Sequence, residues 1–195
     1  MKSTEFITES KYGSEEELYR YAERIQRDCQ PYLNAINNQV DRYEIYRGMK
    51  RVHSAFSKRT VRLDKRNPTD SPRDVHDAVN EYFHDTFGAP FRNAMFCTGN
   101  LTEVREYGEA FVVYPIGDFE FLWSPYVDDM FKEWEDFNIE TNLDTPQFIK
   151  TRIAGKFFNT DIKKAIDSEH EIMIRCNNYY AVDVGLAWDL HEYMK

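Results

Sequence analysis

Helical periodicity comes first in this chain and period-two apolar runs come later, without regular strand-helix alternation. A doubly wound parallel sheet needs that alternation, so the order predicts an α+β domain with N-terminal helices and antiparallel-rich sheets. The first helix is expected from Ser14, where the hydroxyl caps the turn and Glu17 is its reciprocal partner. Leu18, Ala22, Ile25, Cys29, Leu33 and Ile36 follow at helical spacing, with an interruption at Pro31. Ser71-Pro72, Ser124-Pro125 and Thr145-Pro146 each offer a capping oxygen followed by a residue with helical φ, and so predict three more helix starts. The helix after Ser71 is expected to stop near Gly88. Strands are expected over Tyr43 to Arg47, Ala94 to Thr98, Ala110 to Ile116, Glu120 to Trp123, Glu171 to Cys176 and Tyr179 to Val184. Asn177-Asn178 reads as a hairpin turn between the last two.

Neither a repeat nor a Gly-, Ser- or Pro-rich linker divides the 195 residues. One domain over 1–195 is therefore expected, with 1–40 as a helical N-terminal portion and 41–195 as the sheet-rich portion. A net charge of −9 disfavours a domain built to grip nucleic-acid phosphates. Basic residues still gather from Arg47 to Arg73 (Arg47, Lys50, Arg51, Lys58, Arg59, Arg62, Lys65, Arg66, Arg73), while acid collects from Asp128 to Asp144. Such asymmetry reads either as solvated faces or as an anionic ligand near the basic half. No stretch approaches the roughly 20 apolar residues of a membrane span. The start, MKSTEFITESKYGSEEE, lacks a signal peptide's basic and apolar regions, so no membrane association and a cytoplasmic location are expected. Cys29, Cys97 and Cys176 form no CxxC pair and are expected to be reduced and mostly buried.

Neither GxGxxG nor GxxxxGK[ST] is present, so phosphate-loop readings lose their support. Three short segments at strand ends stand out instead: Tyr46-Arg47-Gly48, Phe96-Cys97-Thr98-Gly99, and Glu169-His170-Glu171 before Ile172-Met173-Ile174. Taken singly, each also reads as an ordinary strand end or turn. In this order they resemble the arginine, Ser-Thr-Ser and Glu-x-Glu motifs of the ADP-ribosyltransferases, particularly the small phage-encoded enzymes that modify host proteins. The segment RNPTDSPRDVHDAVNEYFHDTFGAPFRNAMFCTGN also resembles uncharacterised phage proteins.

The resemblance implies an ADP-ribosyltransferase-like fold in which 41–195 binds and consumes NAD and passes ADP-ribose to a host macromolecule, with a protein as the expected acceptor, in the host cytoplasm. Arg47 would hold the pyrophosphate or the adjoining ribose through forked, charge-assisted hydrogen bonds, and Gly48 would let the backbone approach. Thr98 would orient Glu171 and support the pocket, with Tyr46 or Phe96 packing near the nicotinamide. Glu171 would stabilise the positive charge that builds on the ribose. Glu169, two residues earlier on the same strand face, would accept the nucleophile's proton, and in this family the first Glu accompanies transfer to arginine. The second motif departs from the family pattern, with a thiol at Cys97 and no side chain at Gly99. The long stretch from Thr98 to Glu171 would then carry insertions or an enlarged substrate loop, with Phe157 and Phe158 in it.

Other readings use the same residues differently. His76 and His84 lie on one expected helix two turns apart, too far for a shared metal, and read as a solvated face. Cys97 with His53 or His170 would make a nucleophile pair only if the fold joined them. A non-enzymatic phage interaction protein would use the aromatic stretch from Tyr107 to Phe137 as a binding surface, unless those rings form the core. Convergence of Arg47, Thr98 and Glu171 on one cleft separates the enzyme from the binding module.

Overall fold

The computed structural model describes residues 12–50, 53–64, 68, 71–141 and 144–195. Arg51, Lys65 and Arg66 of the basic stretch and the first eleven residues lie outside them. The architecture is α+β, with two antiparallel sheets and helices on both sides.

Helix α1 (Glu15–Asp28) begins as the sequence predicts: Ser14 Oγ accepts from the Glu17 N–H, and the Glu17 carboxylate accepts from the Ser14 N–H at 3.0 Å. The helix is interrupted as expected, and Pro31 lies in the first turn of a second one, α2 (Gln30–Ala35). Two strands follow, β1 (Tyr46–Met49) and β2 (Phe56–Thr60), then helix α3 (Arg73–Phe87), which ends on Gly88. A 3₁₀ turn at Phe91–Asn93 leads into β3 (Met95–Cys97), the short helix α4 (Leu101–Val104), β4 (Glu109–Ile116) and β5 (Glu120–Trp123). Next come α5 (Met130–Glu140), α6 (Thr145–Phe148) running into a π turn, α7 (Ile162–Asp167), β6 (Ile172–Arg175), β7 (Asn178–Asp183) and α8 (Val184–His191).

Sheet order is β1-β4-β7-β2 in one layer and β3-β6-β5 in the other. A single bridge joins their edges, with the Tyr46 N–H donating to the Thr98 carbonyl at 2.8 Å and the Thr98 N–H returning to Tyr46 at 3.1 Å. Period two divides the three-stranded sheet cleanly. Cys97, Trp123, Ile172 and Ile174 face the larger core, which α1, α2 and α8 close from beyond the four-stranded sheet. Leu122 and Met173 face a second core filled by Val79 and Phe83 of α3, Phe137 of α5 and Phe148 of α6.

Several expectations are corrected. Asn177-Asn178 is no hairpin turn, because β6 and β7 belong to different sheets and the chain crosses between layers there. Ser71 does not cap α3, and α5 starts six residues after Ser124. Asp129 accepts from two N–H groups at the start of α5, whereas Ser124 closes a turn with Tyr126 and Val127 and donates to the Lys156 carbonyl. The stretch ahead of the acidic pair is folded core, not a substrate loop: Phe148, Ile153 and Phe157 are buried, and Phe158 extends the sheet by bridging Trp123. In the aromatic stretch Phe111, Tyr114, Trp123 and Phe137 are buried, Phe119, Phe121, Phe131 and Trp134 are half-buried, and Tyr107 and Tyr126 are exposed.

Candidate active site

β1 and β3 are the edge strands of their sheets, and beyond the Tyr46–Thr98 bridge a cleft of about 890 Å³ runs along both edges. Arg47 sits on this seam: its guanidinium donates to the Phe96 carbonyl across the gap at 2.9 Å. Gly48 is required by its surroundings, since a Cβ there would lie 2.5 Å from the Val104 carbonyl and 2.8 Å from Cβ of Tyr107. The backbone that approaches it is therefore the chain's own. Gly99 has a parallel explanation, because its Cβ would fall 2.0 Å from the Ile166 carbonyl. The missing second hydroxyl of the Cys97-Thr98-Gly99 motif follows from the packing of α7 onto this turn.

Residues 169–171 are pinned at every step. Thr98 Oγ1 donates to the Glu169 carbonyl and accepts from the Asn100 N–H at 3.0 Å. His170 donates from Nδ1 to the Ser124 carbonyl at 2.9 Å, and the Glu171 N–H donates to the Asp128 carbonyl at 2.9 Å. Glu171 then projects into the cleft, where its Oε1 accepts from Arg92 Nη1 at 3.0 Å. Thr98 thus anchors the backbone two residues ahead of Glu171.

Of the residues singled out in the sequence, Tyr46, Arg47, Gly48, Phe96, Thr98 and Glu171 border the cleft. Glu169 does not: its φ of 62° is left-handed, and the strand begins only at Ile172. The period-two argument that put it beside Glu171 fails for that reason. Glu169 borders instead a smaller polar cavity of about 190 Å³ with Arg42, Glu44 and Asp167. Tyr46 borders both spaces, and its hydroxyl turns away from the cleft to Glu44.

Sequence reasoning missed Arg92, which is 7% exposed and holds its guanidinium 4.6 Å above the Phe96 ring. The available signal was a lone charge inside the apolar run Ala89-Pro90-Phe91-Arg92-Asn93-Ala94-Met95-Phe96. His76 also borders the cleft and is buried, not solvated, and desolvation lowers its pKa. His84 is on the exposed face. Glu103, Asp128 and Asp129 border the same cleft as Arg47 and Lys50, and burial raises the Glu103 carboxyl above its ordinary value. Cys97 makes a poor nucleophile, because burial pushes its thiol up to about 12 and leaves it protonated at neutral pH.

Among the described residues, no group of three His, Cys, Asp or Glu is arranged to hold a metal ion, and no helix is long and apolar enough to cross a membrane. No family model, curated protein or solved structure matches the chain.

Proposed function

We propose that this protein is an NAD-consuming ADP-ribosyltransferase that passes ADP-ribose to a host macromolecule, most simply a protein. The observation that carries this reading is the meeting of Arg47, Thr98 and Glu171, from three separate stretches of sequence, around one cleft. A binding module has no need to gather that set.

The basic side of the cleft suits the pyrophosphate of NAD, with the Arg47 guanidinium supplying forked donors and Lys50 adding charge. Cleavage of the bond between nicotinamide and ribose builds positive charge on the sugar. A fixed carboxylate stabilises that charge more in the transition state than in the ground state, which is the role assigned to Glu171. Thr98 holds the backbone that aims it. Glu169 contributes its carbonyl to this anchor and borders the smaller cavity instead of the cleft, so the acceptor's proton is not assigned to it.

The test is release of nicotinamide from NAD by purified protein mixed with a bacterial lysate, comparing wild type with Glu171→Ala. The reading predicts release and labelling of lysate protein by wild type, and a loss of about a hundredfold or more in a folded Glu171→Ala variant. A wild type that neither consumes nor binds NAD sinks it.

A further inference from the structure

We infer that Arg92 is the positioning residue for Glu171, fixing the direction of the carboxylate before NAD arrives; this rests on the transferase reading above. Arg92 and Glu171 form the most enclosed Arg–carboxylate pair among the described residues, with side chains 8% and 20% exposed and a nitrogen–oxygen distance of 3.0 Å. The two lie 79 positions apart in sequence, so only the fold brings them together.

Arg92 is itself held at both ends, by its backbone and by its guanidinium. Its N–H donates to Asn80 Oδ1 at 2.8 Å, tying the 3₁₀ turn to α3. Asn80 is steadied by Asn93 Oδ1 at 3.2 Å and contacts His76 Nε2 at 3.2 Å. The guanidinium plane rests on Phe96, whose own carbonyl receives Arg47. One aromatic residue of β3 therefore sets both arginines of the cleft, Arg47 through its backbone and Arg92 through its ring.

Such a scaffold does work that a salt bridge at the surface does not. A carboxylate that must meet a ribose hydroxyl loses rate steeply when displaced by about 1 Å. A delocalised, permanently charged guanidinium fixes one of its oxygens in direction as well as distance. Lysine keeps the charge but loses the planar, stacked donor, so Arg92→Lys separates positioning from simple neutralisation.

The experiment measures nicotinamide release at varied NAD for wild type, Glu171→Ala, Arg92→Lys and Arg92→Ala, the last with and without added guanidinium chloride at low millimolar concentration. Arg92→Lys is expected to lower kcat by about tenfold or more, with KM for NAD changed by less than about threefold. In Arg92→Ala guanidinium should restore about tenfold of the lost kcat, and in Glu171→Ala it should restore none. If Arg92→Ala does not fold, Arg92→Lys alone decides. An unchanged kcat in Arg92→Lys overturns the inference while leaving the transferase reading intact, and so does a loss confined to KM, which would put Arg92 on NAD itself. A wild type silent toward NAD overturns both, and that is seen before any Arg92 variant is read.

Discussion

Tyr46 and Arg47 are neighbours in β1, yet the alternation of a strand delivers them to two polar clusters of opposite character. On the cleft side, Arg47 and Arg92 meet a carbonyl and a carboxylate beside an open volume of about 890 Å³. On the other side, the Tyr46 hydroxyl donates to Glu44, which is 8% exposed and takes the Trp188 indole N–H at 3.4 Å on the same oxygen. The second Glu44 oxygen and His191 Nε2 stand 3.5 Å apart, and neither has a hydrogen-bond partner. Burial raises the Glu44 carboxyl and lowers the His191 imidazole, so both drift toward neutrality. The first cluster opens on the larger cleft, whereas the second, in which Glu44 borders only the smaller cavity, seals β1 against the C-terminal helix α8.

The comparison breaks most severely at Gly99, which lines the small cavity on one side and follows Thr98 on the other. A methyl group there meets the Ile166 carbonyl at 2.0 Å, and backbone cannot swing aside as a side chain can. Gly99→Ala is expected to cost about 3 kcal/mol, lowering Tm by roughly 6–12 °C. The same displacement of α7 should loosen the Thr98–Glu169 anchor, so nicotinamide release should fall in the folded fraction as well. A thermal melt within about 2 °C of wild type would show that the turn has room the packing denies.

The sequence announced the parts of this molecule that depend on local chemistry and concealed those that depend on what packs where. The α1 capping box, the Gly88 stop and β5 are local, and each lies where the residues place it. The strand β2 was invisible, since Ser57, Lys58 and Arg59 show no apolar alternation on an edge that solvates its charges. The crossing at Asn177 was misread because a turn signal does not say which sheet each arm joins. In the site, Arg47, Thr98 and Glu171 were legible through the order of their segments. Glu169 was misplaced by assuming extended backbone where φ is positive, and Arg92 was hidden because its partner lies 79 residues away.

The sealed cluster makes a smaller and opposite prediction. In Glu44→Gln the amide oxygen can still accept from Tyr46 and Trp188, while the new N–H₂ reaches toward His191 Nε2 and gives both unmatched positions a partner. The carboxyl of Glu44 has its folded value raised by desolvation, so above the ordinary carboxylate range the unfolded chain binds fewer protons than the native one. Native stability therefore falls as pH rises through that window, and the amide abolishes the fall. Glu44→Gln should gain about 1 kcal/mol at pH 8 and less at pH 5 by urea unfolding. A gain independent of pH would mean that the carboxylate is already neutral throughout or already paired.

His76, on the cleft side of the comparison, should show the reverse sign and the smallest effect. It is 3% exposed, and desolvation depresses its pKa more than the Asn93 contact raises it. Between that depressed value and the unfolded imidazole's value of about 6.5, the unfolded chain holds a proton that the native chain refuses. Stability therefore drops as pH falls below about 6.5 and stops dropping from this source once the folded imidazole also protonates. His76→Gln keeps an amide within reach of Asn93 but removes the titration. Whatever its constant cost, the variant should lose less stability than wild type between pH 7 and pH 5, by under about 1 kcal/mol. His191 is depressed for the same reason and is present in both proteins, so it cancels from the difference. Parallel stability curves for the two proteins over this range would mean that the imidazole under Arg92 is protonated in the fold, making the floor of the cleft more cationic than its burial implies.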